Sequence, residues 1–234
     1  MDVGNHIALN HETWSFAEAI EQFDEHILTS VPNCQEQRDY IASLSKFFLH
    51  HQAKICEIGV STGELARVVL AAIPERPVSY VGIDVESEMI VKAQKKLLHD
   101  PRFSCFEGNA LDYPFEDLSL ILSYYTLQFI PLAERYKLIQ RIYDALRPGA
   151  AFILYEKTHG DTPQLQDMLT QLYFDFKSQQ GYKPEAILNK AISLRGVSMP
   201  LSLEQNRQYL LDCGFQSVEI IYRAYCFAGY LAIK

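Results

Sequence analysis

A glycine-rich turn near position 60 contains the first residues whose types and spacing could do chemistry: Glu57, Gly59, Ser61 and Gly63. The turn follows a short apolar run and leads into a segment with helical periodicity. Glycines let the backbone approach a ligand closely, and the start of a helix presents unpaired N–H groups. The spacing lacks the G-x-G-x-x-G pattern that cradles a pyrophosphate, which disfavours a nicotinamide dinucleotide. The turn predicts a site for an adenosyl group without a phosphate.

Two further polar side chains follow the next β-type runs along the chain. Asp84 and Val85 stand at the end of the second run, and Asn109 and Ala110 follow the third. A carboxylate accepts hydrogen bonds from ribose hydroxyls, and an amide beside a backbone N–H can read an adenine edge. The structural alternatives are a helix cap for Asp84 and an ordinary turn for Asn109. We predict that all four residues bind the cofactor.

An aromatic cluster ends the fourth run, at Tyr124 and Tyr125. Aromatic faces attract cations by about 0.5–2 kcal/mol, and a sulfonium is a cation. Core packing is the alternative explanation for part of the cluster. We predict that Tyr124 contacts the cofactor and is a candidate catalytic residue. Glu156 and His159 are further candidates for a general base.

The elements that position these residues alternate between β-type runs and helical segments. Strands are predicted over 54–58, 78–83, 102–106, 118–124, 151–155, 217–224 and 227–233. Helices are predicted over 64–72, 87–98, 132–146 and 203–212, with Arg147, Pro148 and Gly149 ending the third of them. This alternation is typical of an α/β fold with a doubly wound, seven-stranded, mostly parallel sheet. The residues above then lie at carboxyl ends of strands, where open α/β sheets bind ligands.

Additional helices precede and interrupt this alternation. The segments 13–30 and 38–50 predict N-terminal helices, because apolar residues recur at helical spacing. Two helices, over 163–180 and 185–194, form an insertion within 160–200. We predict that the chain 1–234 is a single domain in which this insertion is a lid or a dimer element.

Charge and composition limit the kinds of partner. The chain of 234 residues has 21 Lys plus Arg against 29 Asp plus Glu, a formal charge of −8. A protein that binds nucleic acid through phosphate contacts usually shows the opposite balance. No apolar run approaches the roughly 20 residues of a membrane span, and the first residues lack a secretory signal pattern. We predict a cytoplasmic protein with a small-molecule substrate, without direct nucleic-acid or membrane binding.

Cysteine and histidine spacing predicts neither a disulfide framework nor a metal site. The five cysteines form no C-x-x-C pair, and the seven histidines form no H-E-x-x-H motif. The adjacent His50 and His51 point apart on a helix. We predict buried free thiols and no metal.

The glycine turn with Asp84 and Asn109 resembles the class I S-adenosylmethionine-dependent methyltransferases. Within that group the chain is most similar to the carboxy-S-adenosylmethionine synthase family, which makes the carboxymethyl donor used in tRNA wobble-uridine modification. The resemblance rests on Trp14-Ser15-Phe16, Ser30-Val31-Pro32, Thr126-Leu127-Gln128-Phe129, Ile142-Tyr143-Asp144-Ala145-Leu146-Arg147-Pro148-Gly149, Glu156-Lys157, Asp175-Phe176-Lys177, Gly181-Tyr182 and Gly214-Phe215. It implies a Rossmann-like fold, S-adenosylmethionine as cofactor and a homodimer with the insertion helices at its interface.

Three positions depart from that family. Its Tyr after Ser-Val-Pro falls on Cys34, its Asn before Thr-Leu-Gln-Phe falls on Tyr124, and its Arg before the final Gly-Phe falls on Tyr209. In the family that Arg pairs with the extra carboxylate of carboxy-S-adenosylmethionine, and a neutral phenol cannot replace a bidentate guanidinium. The resemblance therefore implies that the cofactor site is kept and carboxylate recognition is lost. Tyr209 becomes a second candidate catalytic residue.

Four functions remain open on the sequence. The first is methyl transfer from S-adenosylmethionine to a small acceptor, which needs mainly alignment of the reacting atoms. The second is cyclisation of S-adenosylmethionine to azetidine-2-carboxylate and methylthioadenosine. The third is synthesis of carboxy-S-adenosylmethionine from prephenate with another residue replacing the Arg. The fourth is a non-catalytic adenosyl-binding module. We predict an enzyme and favour the first function.

Overall fold

The computed structural model describes residues 22–50 and 52–234. Its strands are β1 (Ala53–Ile58), β2 (Val78–Asp84), β3 (Phe103–Glu107), β4 (Leu118–Tyr124), β5 (Leu146–His159), β6 (Leu201–Ser202), β7 (Ser217–Ala224) and β8 (Phe227–Ile233). They pair in the order β3-β2-β1-β4-β5-β8-β7, with β6 attached to β5 alone. The first five strands of this row are parallel, and β8 runs antiparallel to both of its neighbours. The predicted doubly wound, seven-stranded, mostly parallel sheet is confirmed, and the two-residue β6 is an addition.

The helices are α1 (Phe23–Ser30), α2 (Cys34–Ser45), α3 (Glu64–Ala71), α4 (Ser87–Lys96), α5 (Leu132–Ala145), α6 (Pro163–Gln179), α7 (Pro184–Ser193) and α8 (Leu203–Asp212). Both faces of the sheet are covered. Ile55 joins a buried cluster with α2, α3 and α4, whereas the next residue, Cys56, joins a cluster with α5 and α8. Successive strand residues point to opposite faces, so apolar residues at both positions require helices on both sides.

The predicted bounds of α2 and β5 were wrong at both ends. Helix α2 begins at Cys34, four residues before the predicted start, because Asn33 adopts a left-handed conformation with φ of 52° and turns the chain there. Strand β5 begins at Leu146, so Gly149 lies within a strand and does not end a helix. The Gly149 N–H donates to the carbonyl of Lys234 at 2.8 Å, and this tertiary pairing outweighs the local Pro-Gly stop signal. The part of the first predicted helix before Gln22 lies outside the described residues.

Helices α6 and α7 form the predicted insertion between β5 and β6. The Thr162 hydroxyl caps α6 by accepting from the Leu165 N–H, and Ser202 with Gln205 forms a capping box at the start of α8. All five cysteines are free and buried, as predicted. Across 22–50 and 52–234 no helix is long and apolar enough to span a membrane, and no group of three or more potential ligand side chains is placed to hold a metal ion.

Candidate active site

One cavity of about 430 Å³ opens at the carboxyl ends of the central parallel strands. It brings together the predicted cofactor residues Glu57, Gly59, Ser61, Asp84, Val85, Asn109, Ala110 and Tyr124. Gly63 does not line it. With a φ of 77°, Gly63 starts α3, and a Cβ there would lie 3.1 Å from that of Ala93 in α4. Gly63 therefore serves the close packing of the two helices.

The glycine turn is fixed by main-chain bonds and by close packing. The N–H groups of Gly59 and Val60 both donate to the carbonyl of Ile83, at 2.8 and 3.0 Å. Gly59 has a φ of 75°, and a Cβ on it would lie 2.6 Å from Cγ2 of Thr126, another cavity residue. Only glycine satisfies both conditions without moving the cavity wall.

Asp84 connects the turn to the end of β2. Its Oδ2 accepts from the Ser61 N–H at 2.8 Å, and its Oδ1 accepts from the Glu86 N–H at 3.0 Å. Burial raises the pKa of the Asp84 carboxyl. A carboxylate has about four acceptor sites, so two backbone bonds leave capacity for hydroxyl donors. Asp84 can therefore keep both backbone contacts and still accept hydrogen bonds from a ligand.

Asn109 and Glu57 also have partners in the protein. The Asn109 Oδ1 accepts from the Leu111 N–H at 2.9 Å, which is the turn contact foreseen as the alternative. Glu57 is buried at the end of β1, where its Oε2 accepts from the Tyr80 hydroxyl at 2.7 Å. Burial raises the pKa of Glu57 to about 8. A cation bound in the cavity would favour the ionised form of this carboxyl.

Tyr124 lines the cavity but is poorly suited to act as a general base. Its hydroxyl donates to Oε1 of Gln37 at 2.9 Å and contacts Sγ of Cys34 at 3.5 Å. Burial raises the pKa of Tyr124 well above its usual value, so the phenol stays protonated at neutral pH. Its ring is the part available to a bound ligand, together with that of Tyr125, whose centroid is 4.5 Å away.

The other candidate catalytic residues do not line the cavity. Tyr209 lies on α8 with its ring 5.9 Å from that of Tyr136, edge to face. Because Tyr209 does not line the cavity, the absence of an Arg at this position does not decide carboxylate recognition. Buried Glu156 accepts from the Leu127 N–H at 3.0 Å and so holds the segment after β4 in place. His159 contacts the carbonyl of Gly160 at 2.9 Å.

Three lysines that the sequence analysis did not single out line the cavity: Lys157 of β5, Lys177 of α6 and Lys190 of α7. Lys177 is only 3% exposed, and its Nζ lies 5.5 and 4.9 Å from the ring centroids of Tyr173 and Tyr182. Burial and the neighbouring lysines lower the pKa of Lys177 to about 7 and that of Lys190 to about 8. We call this group the lysine end of the cavity. Its positive charges suit an anion.

Two of these lysines occur in segments that carry the family resemblance, Glu156-Lys157 and Asp175-Phe176-Lys177. That is the one signal that the sequence offered. Their convergence depends on how α6 and α7 fold back over the sheet, and no local spacing encodes this.

A network of charged and polar groups fastens α1 beside the cavity. The Lys96 Nζ donates to Asp24 at 2.6 Å, to Thr62 at 3.2 Å and to Glu64 at 3.0 Å. The Thr62 hydroxyl also donates to Asp24, at 2.5 Å. Asp24, Thr62 and Glu64 line the cavity, so the network joins α1 to α3 and α4 at its edge.

Comparisons with known proteins agree with this architecture. A family described as a methyltransferase domain matches residues 55–149. The carboxy-S-adenosyl-L-methionine synthase of Staphylococcus epidermidis is 33% identical over 223 residues, which cover 94% of this chain and 97% of that protein. The protein of the same name from Trichodesmium erythraeum is also 33% identical, over 93% of this chain and 87% of its own length.

Solved structures of methyltransferases share the fold. Human N-acetylserotonin methyltransferase, solved with S-adenosylmethionine, has a TM-score of 0.63 at 16% identity over 93% of this chain and 55% of its own. A phosphoethanolamine N-methyltransferase of Haemonchus contortus, solved with phosphomonomethylethanolamine and S-adenosylhomocysteine, has a TM-score of 0.67 at 16% identity, over 96% and 59% of the two chains. At such identities the likeness establishes the fold.

Proposed function

Because this chain belongs to the carboxy-S-adenosyl-L-methionine synthase family, we propose that it binds S-adenosylmethionine and a small anionic second substrate in one cavity. The lysine end is the observation that carries this proposal. Lys177 is a buried ammonium group next to other lysines, which is costly, and a bound dianion or carboxylate relieves that cost. Two candidates for the second substrate follow.

The residues at the glycine turn fit the adenosyl part of the cofactor. Asp84 has acceptor capacity for the ribose hydroxyls, and Asn109 and Ala110 line the same cavity and would contact the adenine. Gly59 leaves the space that a Cβ would fill beside Thr126. When bound, S-adenosylmethionine supplies a carbon activated by its sulfonium. The Tyr124 and Tyr125 rings form an aromatic wall suited to that positive charge.

The lysine end then orients the second substrate. Lys157 and Lys177 present positive charge, and both lie against the ring of Tyr173, at 5.0 and 5.5 Å from its centroid. With a pKa of about 7, Lys177 is able to hold or release a proton at Nζ near neutral pH. The aromatic wall would hold the sulfonium, and the lysine end would hold an anion. We therefore expect the alignment of the reacting atoms of the two substrates to be the main contribution to catalysis.

Synthesis of carboxy-S-adenosylmethionine from prephenate is the first candidate reaction, because the curated relatives are named for that product. Methyl transfer to a small anionic acceptor is the second. The departures at Cys34 and Tyr124 favour it, since Tyr124 lines the cavity and its hydroxyl lies 3.5 Å from the Cys34 thiol. The relatives named above are synthases and methyltransferases, so cyclisation of the cofactor gains no support and is not proposed.

Mass spectrometry of the protein with S-adenosylmethionine, with and without prephenate, separates these candidates. An adenosyl product with one extra carboxyl that requires prephenate supports the first. S-adenosylhomocysteine formed together with a methylated acid supports the second. The Lys177→Met variant should lose either activity, whereas Lys183→Met, an exposed lysine outside the cavity, should keep it. No turnover with prephenate or with a panel of carboxylic acids would contradict the proposal.

We also propose a homodimer in which α6 contributes to the interface. Leu165, Met168 and Leu172 are 45–52% exposed and lie at i, i+3 and i+7, on one face of the helix. Leu188 of the adjacent α7 is 54% exposed. Exposed apolar side chains in such a row are typical of a surface that another chain covers.

A further inference from the structure

Arg38, in the second turn of α2, is a buried cation that faces the cavity. The residue is 4% exposed, and its Nε has no hydrogen-bond partner among the described residues. None of the ion pairs in that part of the chain includes it. Burying an unpaired guanidinium is strongly unfavourable. Its position therefore indicates that a ligand supplies the missing anion.

The neighbours of Arg38 place it beside the glycine turn. Its Cζ lies 6.0 Å from the centroid of Tyr124, at the end of β4. Glu57, at the end of the adjacent β1, lines the same cavity and feels the positive charge of Arg38, although the two side chains form no ion pair. One cavity wall therefore holds a guanidinium and, apart from it, a carboxyl group whose ionised form a bound cation would favour. A ligand with an ammonium and a carboxylate would match both.

The lysine end is a separate region of positive charge. Between Tyr124 and Lys177 the rings of Tyr125, Phe227 and Tyr173 contact one another in series, with centroids 5.4 and 5.1 Å apart. The charges that act on Lys177 include Lys157 and Lys190 but not Arg38. Arg38 and the lysines are thus two separate regions of positive charge in the cavity.

We propose that Arg38 binds the methionyl carboxylate of S-adenosylmethionine while Glu57 binds its ammonium. This inference rests on the proposed function, because it needs the adenosyl group at Asp84 and Asn109. A guanidinium donates two parallel hydrogen bonds to a carboxylate, a geometry that a lysine cannot reproduce. Arg38 lies next to Cys34 and Tyr124, two positions at which this chain departs from its family, and it supplies a charge there that neither of those side chains has.

Three nucleosides test the inference by calorimetry: S-adenosylhomocysteine, its analogue without the carboxylate, and methylthioadenosine, which lacks the whole amino-acid part. The wild type should bind the first more tightly than the second. Arg38→Met should weaken S-adenosylhomocysteine about 10- to 100-fold, as expected for a lost charge-assisted bond. Binding of methylthioadenosine and of the analogue without the carboxylate should stay within about twofold, since neither ligand presents the charge that Arg38 pairs with.

Three further variants test the same inference. Arg38→Lys should retain part of the preference for the carboxylate, and it decides the question if Arg38→Met fails to fold. Arg207→Met removes an arginine from a surface pair on α8 and should change none of the three affinities. Lys177→Met should also leave the preference between the first two nucleosides unchanged, because the lysine end binds the second substrate.

Several results would overturn the inference. An equal loss for all three nucleosides in Arg38→Met would make Arg38 a structural residue. Unchanged binding of S-adenosylhomocysteine would place the carboxylate elsewhere, and a lost preference in Lys177→Met would place it at the lysine end. These outcomes leave the proposed function intact. If the wild type binds none of the nucleosides, the proposed function itself fails and the inference fails with it.

Discussion

At the scale of single residues, the Asp84 carboxylate combines a structural contact with a proposed ligand contact. Its carboxylate holds two backbone N–H groups and still faces the cavity. Asp84→Asn removes the charge and replaces an acceptor by a donor. We expect the affinity for S-adenosylmethionine to fall about 10- to 100-fold, the usual effect of losing hydrogen bonds to a charged group. Calorimetry measures the change, and Asp112→Asn, an exposed carboxylate two residues after Ala110, should have no effect. Equal affinities in the wild type and Asp84→Asn would exclude the ribose role.

The lysine end predicts a pH dependence. The pKa of Lys177 is lowered to about 7, so the ammonium is present below that pH and is lost above it. Since the second substrate is an anion, its binding should weaken as the pH rises from 6 to 8, by up to about tenfold per unit above the pKa. The KM for the second substrate measures this. Because Lys177→Met should lose turnover, the exposed Lys183→Met is the control, and its profile should match that of the wild type. A wild-type KM independent of pH over this range would contradict the assignment.

At the scale of elements, the turn between β1 and α3 requires glycine for two reasons that can be separated. Gly59 and Gly149 have nearly the same φ, 75° and 77°, but only a Cβ at Gly59 would collide with Thr126, while one at Gly149 would meet nothing within 4 Å. Gly149→Ala should cost about 1–2 kcal/mol of stability from the left-handed backbone alone and leave cofactor binding intact. Gly59→Ala should cost more and abolish binding. Urea unfolding with calorimetry compares the two variants, and normal binding by Gly59→Ala would refute this account of the turn.

The contact between α1 and the rest of the fold predicts how fast the cofactor leaves. Lys96 joins α1 to α3 through Asp24 and Glu64, with its own side chain 22% exposed. Partly exposed ion pairs contribute about 0–1 kcal/mol, so Lys96→Met should raise the dissociation rate of S-adenosylmethionine about two- to fivefold. Hydrogen exchange in α1 should increase as well. Lys95→Met, one residue away and exposed, is the control. Unchanged exchange in α1 would show that other contacts hold the helix.

Elements with regular periodicity were predictable, whereas their long-range placement was not. The apolar pattern located β4, α8, β7 and β8 with their observed bounds, because local hydrophobic patterning marks each of these elements. Arg38 was missed for a local reason. The helix was predicted to begin at that residue, and its observed start at Cys34 moves Arg38 into the second turn. The lysine end was missed for a global reason, since three separate elements bring its members together.

At the scale of the whole molecule, the part of the site around the glycine turn could be predicted from the sequence, because it lies on consecutive strands of one sheet. The turn after β1, Asp84 and Asn109 all occur at carboxyl ends, and parallel strands bring such ends to one edge. Tyr209 shows the limit of an argument by aligned position. It lies on α8, and the structure places it against Tyr136, not at the cavity.

The proposed assembly of two chains concerns the whole molecule, and the apolar row on α6 makes it testable. Leu172→Glu places a charge within the proposed interface, where burial of an unpaired carboxylate is strongly unfavourable. Light scattering after size exclusion should show a dimer for the wild type and a monomer for this variant. Gln171→Glu adds the same charge one position along the helix, about 100° away, and should remain dimeric.

Because α6 also carries Lys177 and Tyr173 at the cavity, loss of the dimer should raise the KM for the second substrate more than it changes the affinity for S-adenosylmethionine. A wild-type monomer, or a Leu172→Glu dimer of undiminished stability, would show that this row is not the interface.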